Sequence, residues 1–593
     1  MATNQPTQHD AGAASAPPPV EDLKQPTKRP FDGHQQRKPK HRKKQPKQPK
    51  PMVEGSHEEI LLFEVQAMLK AQRIADGTET DEVPEIDIAS LPEVSAEIEL
   101  DVVELSSTGD ALARQKGSNH VYVVPFSVPG DTVKARVRHH NLDDGYTHTD
   151  FLSVVSPSPL RDDSRIRCKY FAACSGCQFQ MLDYAEQLKI KRNIVVKAYR
   201  AFSGLSPDVV PDILPTIGSP LQYGYRTKLT PHFDGPPGCF RRKGPKQTFT
   251  SPPPFGFTPK GTRRVMDVED CPIGTDAVRK GLAAERERLK TEYTKYTRGA
   301  TILLRESTTR VRKSSPGEVV PVPEGLPADA VRVETDAYVD FKTCITDQNA
   351  TATEYIDDFV FTNPAGAFFQ NNNSILSPFT AYIREHILPR DNDDQTTGRK
   401  KPIKYLIDAY SGSGLFTITQ ASLFPGGSIG IDIAEKSIAF ARRNAALNGL
   451  VGSREPTPTS TNNHGQRQNK TCKFIAADAP ELFKSVRGVY DPDETVVVLD
   501  PPRKGCDASF LRQLLEYAPR RVVYVSCNVH TQARDVGILV RGSVQGFMPG
   551  EAAKEEAEGQ KKVRYEIESI RGFDFFPQTG HVEGVAVLNR VDA

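Results

Sequence analysis

Toward the C-terminus, three side chains stand where they could do covalent chemistry together. Arg521-Val-Val-Tyr-Val-Ser-Cys527-Asn-Val-His530 reads as an apolar strand that delivers a cysteine at its carboxyl end, where open α/β sheets put reacting groups. Cysteine is a soft nucleophile, partly ionised at neutral pH, and a covalent intermediate splits one difficult step into two easier ones. A lone cysteine at a strand end is more often plain core, so Cys527 counts only with partners. One is Glu583, in His581-Val-Glu583-Gly-Val-Ala-Val, a carboxylate just before an apolar strand and a candidate proton acceptor. His581 reads as a structural or positioning residue and not as the base. The other is Asp500, in Val496-Val-Val-Leu-Asp500-Pro-Pro-Arg-Lys-Gly505. There two prolines stop a buried strand and stiffen the loop, while the carboxylate accepts hydrogen bonds from a donor group or a base edge.

Upstream lies half of a nucleoside pocket. Lys404-Tyr-Leu-Ile-Asp-Ala-Tyr-Ser-Gly-Ser-Gly-Leu-Phe416 is an apolar strand, a glycine turn and the start of a helix. Gly412 and Gly414 let the backbone turn tightly and approach a ligand. Gly426-Gly-Ser-Ile-Gly-Ile-Asp432 is a second strand ending in a carboxylate, about 20 residues after the loop, where an acid accepts hydrogen bonds from ribose hydroxyls. A nicotinamide dinucleotide and S-adenosylmethionine both fit such a pocket, and a purely structural turn would explain the glycines alone. Gly412-Ser-Gly-Leu-Phe-Thr417 lacks the third glycine of the dinucleotide fingerprint, which favours the methyl donor.

The elements that must carry these groups alternate strand and helix from about residue 350, as in a doubly wound, Rossmann-like α/β domain. We expect five segments: a basic disordered tail over 1–55, a short helix and acidic linker over 56–94, a small barrel over 95–156, a central α+β region over 157–345 and the catalytic domain over 346–593. Ser56-His57-Glu58-Glu59 offers a capping box ahead of Leu61, Leu62, Val65, Met68 and Leu69. Alternating Ile98-Leu100-Val102, then Val121–Val124, then Val133-Ala135-Val137 read as strands of a five-stranded, OB-like barrel, a type that grips oligonucleotides. An ordinary barrel without a ligand reads the same way. Val128-Pro-Gly-Asp-Thr-Val-Lys-Ala-Arg-Val137 resembles the TRAM domain of RNA-modifying enzymes. Ser453–Lys470 and Gly550–Lys562 look like surface insertions.

Bulk properties narrow the class. At 593 residues the chain exceeds one hydrophobic core, and it has no apolar run of membrane-spanning length. Its first twenty residues lack the apolar core of a secretory signal. Nine cysteines are too sparse for a disulfide scaffold. The reading is an intracellular protein of the nucleus, the cytoplasm or both, with the mitochondrion left open. A net charge of +2 hides ten Lys/Arg against one acid from Thr27 to Lys50. That tract serves as a nuclear-import signal, a phosphate-binding arm or merely a solvated tail.

The motifs taken in order are more specific than any one of them. Asn363-Pro-Ala-Gly-Ala-Phe-Phe-Gln370-Asn, Asp408-Ala-Tyr410-Ser-Gly-Ser-Gly, Gly430-Ile-Asp432, Asp500-Pro-Pro-Arg-Lys-Gly, Val525-Ser-Cys527-Asn and His581-Val-Glu583 resemble the RNA uracil-5-methyltransferase family. The resemblance implies S-adenosylmethionine contacts at Gln370, Tyr410, Asp432 and Asp500, a Cys527 nucleophile that adds to uracil carbon 6, and Glu583 as the proton acceptor. Arg503 after Asp-Pro-Pro, where amine methyltransferases carry an aromatic residue, argues against methylation of exocyclic amines. Ser411 stands where the family usually has Cys, and Asp432 where it often has Glu; both are mild departures. The basic tail, the insertions and the Asp-Ala-Tyr-Ser-Gly variant look more like the fungal-type tRNA enzymes. The implied partner is RNA, tRNA before ribosomal RNA, bound by a monomer with no obligate protein partner. A different class, an RNA-binding or folding protein in which methylation is secondary, shares the barrel and tail but does not need Cys527 and Glu583 together.

Cys168-x5-Cys174-x2-Cys177, followed by Cys271, resembles the four-thiolate [4Fe–4S] site of one branch of the family. Four thiolates suit iron–sulfur or tetrahedral zinc. The spacing differs from the paired Cys-x2-Cys units of zinc ribbons, and it lacks the Cys-x3-Cys-x2-Cys of radical enzymes. The reading is a structural cluster beneath the RNA-binding face.

Overall fold

The computed structural model describes residues 52–75, 77, 90–239, 247–389, 401–450, 471–477, 483, 485–544 and 563–591. The basic tract, most of the acidic linker and both expected insertions lie outside them.

An eight-stranded sheet organises the C-terminal half. In spatial order its strands are Cys472–Ala476, Gly427–Asp432, Tyr405–Ala409, Thr495–Leu499, Arg521–Ser526, Glu583–Val591, Arg564–Phe573 and Leu214–Ile217. The first five are parallel, and numbered along the chain they run 3-2-1-4-5. Glu583–Val591 then inserts antiparallel between Arg521–Ser526 and Arg564–Phe573. Every residue of Thr495–Leu499 and Arg521–Ser526 is buried. Helices cover both faces, so these strands read as unbroken Val-rich runs and not as alternating ones.

The side-chain alternation of the strands feeds two cores. Val497, Leu499, Val522 and Tyr524 pack under the helices Tyr184–Phe202, Ala508–Tyr517 and Val529–Arg541. Val496, Val498, Val523 and Val525 pack against Leu376–His386, Leu415–Thr419 and Glu435–Leu447. The helix Tyr184–Phe202 and the edge strand Leu214–Ile217 come from far upstream and join the layers of this sheet.

A closed five-stranded barrel precedes it, in the order Glu97–Leu105, Ala111–Arg114, Val121–Val124, Tyr146–Ser156, Thr132–Asn141. Strict alternation on Glu97–Leu105 and Thr132–Asn141 puts Ile98, Leu100, Val102, Val133, Ala135 and Val137 inside, as period-two strands with one buried face require. The helix His57–Ala75 lays Leu61, Val65 and Met68 on the outside of that barrel and sends Ile60 into the core of the catalytic sheet. Between barrel and sheet, the helix Asp276–Glu292 packs on an antiparallel sheet that includes Leu304–Arg312 and Tyr338–Ile345. Among the described residues no helix is long and apolar enough to cross a membrane.

Candidate active site

The strand order reverses between Tyr405–Ala409 and Thr495–Leu499, with Ala409 paired opposite Leu499. The loops that leave these two strand ends diverge, and open α/β sheets bind ligands at such a switch point. Here they enclose a cavity of about 1300 Å³. Gln370, Tyr410, Asp432, Asp500, Cys527 and Glu583, singled out from the sequence on six separate motifs, all line it.

The end of the cavity nearest Asp432 is built from backbone as much as from side chains. Tyr410 is held at φ 65°, a left-handed conformation uncommon for a residue with a side chain, and it turns the strand into Gly412 and Gly414. An added Cβ at Gly412 would meet nothing within 4 Å, so that stretch of backbone lies open to a ligand. Asp432 accepts from the Gly412 N–H at 3.0 Å and from the Ala434 N–H at 2.7 Å. Each carboxylate oxygen thus keeps lone-pair capacity for further donors. Behind the loop, buried Asp408 accepts from the Thr417 N–H at 2.9 Å and hydroxyl at 2.6 Å and so fixes the start of the following helix. Ile433 and Phe368 project largely exposed apolar side chains at the cavity.

The other end holds the reactive groups, and its electrostatics correct one expectation. Burial pushes the Cys527 thiol up to about 12; the carboxyls of Glu583 and Asp500 push in the same direction, and the Arg503 guanidinium opposes them. The ordinary acidity of a thiol, on which the partly ionised cysteine of the sequence reading rested, is outweighed by dehydration beside two acids. Burial also lifts Glu583 well above the usual carboxylate range, with Asp500 adding to the rise and Arg503 countering it. Asp500 is raised to about 7 by burial and then by Asp408. Burial thus biases Cys527 and Glu583 toward their protonated forms and brings Asp500 into the neutral range. Glu583 is almost fully buried, and its Oε1 has no hydrogen-bond partner among the described residues.

Two contributors were missed from the sequence. Arg503 entered it only as a contrast with an aromatic residue, yet it is the cation that faces both Cys527 and Glu583. Lys191 is fully buried on the helix Tyr184–Phe202. Its ammonium donates to Asp574 Oδ1 at 2.5 Å, to the Phe576 carbonyl at 3.0 Å and to the His581 carbonyl at 2.7 Å. It thereby pins the segment that presents His581 and Glu583. Its one sequence signal is a lysine on the apolar stripe of Ile194, Val195 and Ala198. His581 is held neutral by burial, which lowers it to about 3.

Cys168, Cys174, Cys177 and Cys271 are free thiols close enough to act on one another. Burial raises Cys177 and Cys271 to about 12, and neighbouring thiols of the four add to both shifts. Among the described residues no group of three or more His, Cys, Asp or Glu side chains is arranged to hold a metal ion.

Comparison with known proteins agrees with this architecture. The family model described as tRNA (Uracil-5-)-methyltransferase matches residues 348–542. A Schizosaccharomyces pombe protein named tRNA (uracil(54)-C(5))-methyltransferase is 41% identical over 91% of this chain and 85% of its own length. A Saccharomyces cerevisiae protein of the same name is 36% identical over 90% of this chain and 81% of its own. The crystal structure of Pyrococcus abyssi tRNA (uracil-54, C5)-methyltransferase in complex with S-adenosyl-L-homocysteine superposes with a TM-score of 0.51 at 24% identity, covering 83% of this chain and all of that one. This last likeness is one of fold. With two relatives above 30% identity over nearly the whole length, the chain belongs to the tRNA (uracil-5-)-methyltransferase family.

Proposed function

We propose that this protein methylates carbon 5 of a uridine in tRNA, the T-loop uridine that the names of both fungal relatives specify. The observation that carries the reading is a single cavity with a nucleoside-type end at Gly412 and Asp432 and a thiol, two acids and a guanidinium at the other. The residues fit S-adenosylmethionine. Open backbone at Gly412 and the spare lone pairs of Asp432 suit a ribose, Ile433 and Phe368 offer apolar surface for a purine, and Gln370, Tyr410 and Asp500 would hold the remainder. When bound, S-adenosylmethionine supplies an electrophilic methyl group and a positive charge.

Carbon 5 of uracil is a poor nucleophile. Cys527 gives up its proton to solvent at the open cavity and adds its sulfur to carbon 6, and the carbon 5–carbon 6 electron pair moves into an enolate that makes carbon 5 reactive. Once carbon 5 carries the methyl group, Glu583 as carboxylate removes the remaining proton there. The electrons of that C–H bond restore the double bond while the carbon–sulfur bond breaks and returns the thiolate. Arg503 favours the charged forms of both residues. The target must leave its stack to reach the thiol. The barrel, read as an OB-like TRAM module, grips the RNA, and Cys168, Cys174, Cys177 and Cys271 hold a [4Fe–4S] cluster of structural role. Support for the cluster is the chemistry of the donor set: four free thiols, of which Cys168, Cys174 and Cys271 act on Cys177, and Cys168 and Cys174 act on Cys271.

The test is methyl transfer by the full-length protein to a tRNA transcript, to the same transcript with cytidine at the T-loop uridine, and to ribosomal RNA. We expect 5-methyluridine in the first alone. Methylation of ribosomal RNA with none on tRNA would overturn the substrate.

A further inference from the structure

Cys527 also borders a second cavity, of about 350 Å³. It shares with the first only Arg503, Lys504, Cys527, His581 and Val582. Its other walls come from the barrel loop at Ser107 and Thr108, the first turn of the helix Val529–Arg541 with Asn528 before it, Ile194 on the helix Tyr184–Phe202, Gly580, and the strap of residues 53–57 that leads into the helix His57–Ala75, with Ile60.

The strap is fastened to the chain that follows Cys527. Asn528 Nδ2 donates to the Gly55 carbonyl and to the Arg503 carbonyl, each at 3.0 Å, and Arg534 forms an ion pair with Glu54. Gly55 sits at φ 67°, and a Cβ there would lie 2.4 Å from Thr531 Cγ2, so both its conformation and its close approach require glycine. Ser56 Oγ accepts from the Glu59 N–H at 3.2 Å while the Glu59 carboxylate takes the Gly55 N–H at 2.5 Å. This is the expected capping box with its return bond shifted one residue upstream.

One group in this cavity is unexplained by the reaction. His530 is 5% exposed, packs edge-on to Phe202 at 5.2 Å and lines the cavity, and its Nε2 has no hydrogen-bond partner among the described residues. Burial holds its imidazole neutral, lowered to about 3. A buried polar atom left unpaired costs stability, and in a native protein it calls for a partner.

We propose that this second cavity is a nucleotide subsite, in which His530 Nε2 hydrogen-bonds the base of an RNA nucleotide next to the target uridine. The inference rests on the RNA-uridine reading above. At about 350 Å³ the cavity lies at the small end of ligand pockets, enough for one nucleoside. Its occupant is a base: besides His530 the cavity is lined by apolar Ile60, Ile194, Val529 and Val582, and its cations Arg503 and Lys504 lie on the side shared with the first cavity. Arg503 and Lys504, common to both cavities, suit the backbone that links the two nucleotides. Single-stranded loops are recognised in this way, with splayed bases read on their edges and packed on flat side chains.

The experiment measures RNA affinity of full-length wild type, His530→Ala and His530→Gln with S-adenosylhomocysteine bound. The probes are a tRNA transcript and two copies with one abasic ribose, immediately 5′ or immediately 3′ of the target uridine. Wild type should bind one of the two abasic RNAs about fivefold more weakly, the worth of one buried hydrogen bond with some packing. His530→Ala should lose the same factor on intact RNA and show no further loss on that abasic RNA, as a coupled pair requires. His530→Gln, which keeps a neutral donor and acceptor, should recover most of it. Equal abasic penalties in wild type and His530→Ala would overturn the subsite, as would no penalty on either side in wild type, a result that does not depend on the variants folding. Methyl transfer recorded on the same samples separates the two readings: a wild type that binds RNA without methylating it fails the activity, while the affinity cycle still decides the subsite.

Discussion

Cys527 and the group Cys168, Cys174, Cys177 and Cys271 are all partly buried thiols that burial makes harder to ionise, yet their surroundings differ in kind. Cys527 stands alone at the end of a parallel strand and faces two carboxyls and a guanidinium across an open cavity. The four others sit on loops, and neighbouring thiols of the group add to the rise of Cys174, Cys177 and Cys271. A thiol among acids and a cation has groups that can take up and return protons, which is what a nucleophile needs. Thiols facing thiols gain nothing until a cation neutralises them, which is what ligands need. Residue type is the same in both; the neighbours assign the role.

The largest expected effect separates the two sets at Glu583. Glu583→Gln should cut turnover by about 10³, the middle of the range for a lost general base. It should also make an RNA–protein adduct accumulate with ordinary tRNA, because the step that fails comes after the sulfur has added. Turnover within tenfold of wild type would remove Glu583 from the chemistry. Next comes the cluster. Cys177→Ser should strip most of the roughly four irons expected for a cubane cluster from anaerobically purified protein and lower its melting temperature, while folded protein still forms the Cys527 adduct. An iron-free wild type would break the comparison.

What could be read in the sequence was local. Each site motif is an apolar run that stops at a special residue, and the barrel announces itself through strict alternation over Glu97–Leu105 and Thr132–Asn141. What could not be read depends on packing between distant segments. Lys191 looks like one more helical lysine until Asp574 and the carbonyls of Phe576 and His581 close around it. The strand Leu214–Ile217 is too short to declare its sheet and is defined by pairing with Arg571 and Phe573. The protonation of Cys527 follows from dehydration beside Glu583 and Asp500, which the order of motifs does not contain.

Smaller effects test that protonation. Cys527 and Glu583 must both ionise, and both are raised, as is Asp500 at about 7. Raised groups lose their protons only as pH climbs, so kcat/KM should increase from pH 6 through pH 8; a flat profile would contradict the raised thiol. Least of all, Asp408→Asn removes a negative neighbour of Asp500. Asp500 should then ionise more easily, and the rising limb should move toward acid by a fraction of a pH unit. Movement toward alkali would show that Asp408 acts otherwise.

The most direct test of the whole account is covalent trapping on tRNA that carries 5-fluorouridine at the target position. Fluorine at carbon 5 cannot leave as a proton, so the reaction stops with sulfur bound to carbon 6. Wild type should give a denaturation-resistant RNA–protein adduct, and Cys527→Ala should give none. Equal trapping by both would contradict the assignment of Cys527 as the nucleophile.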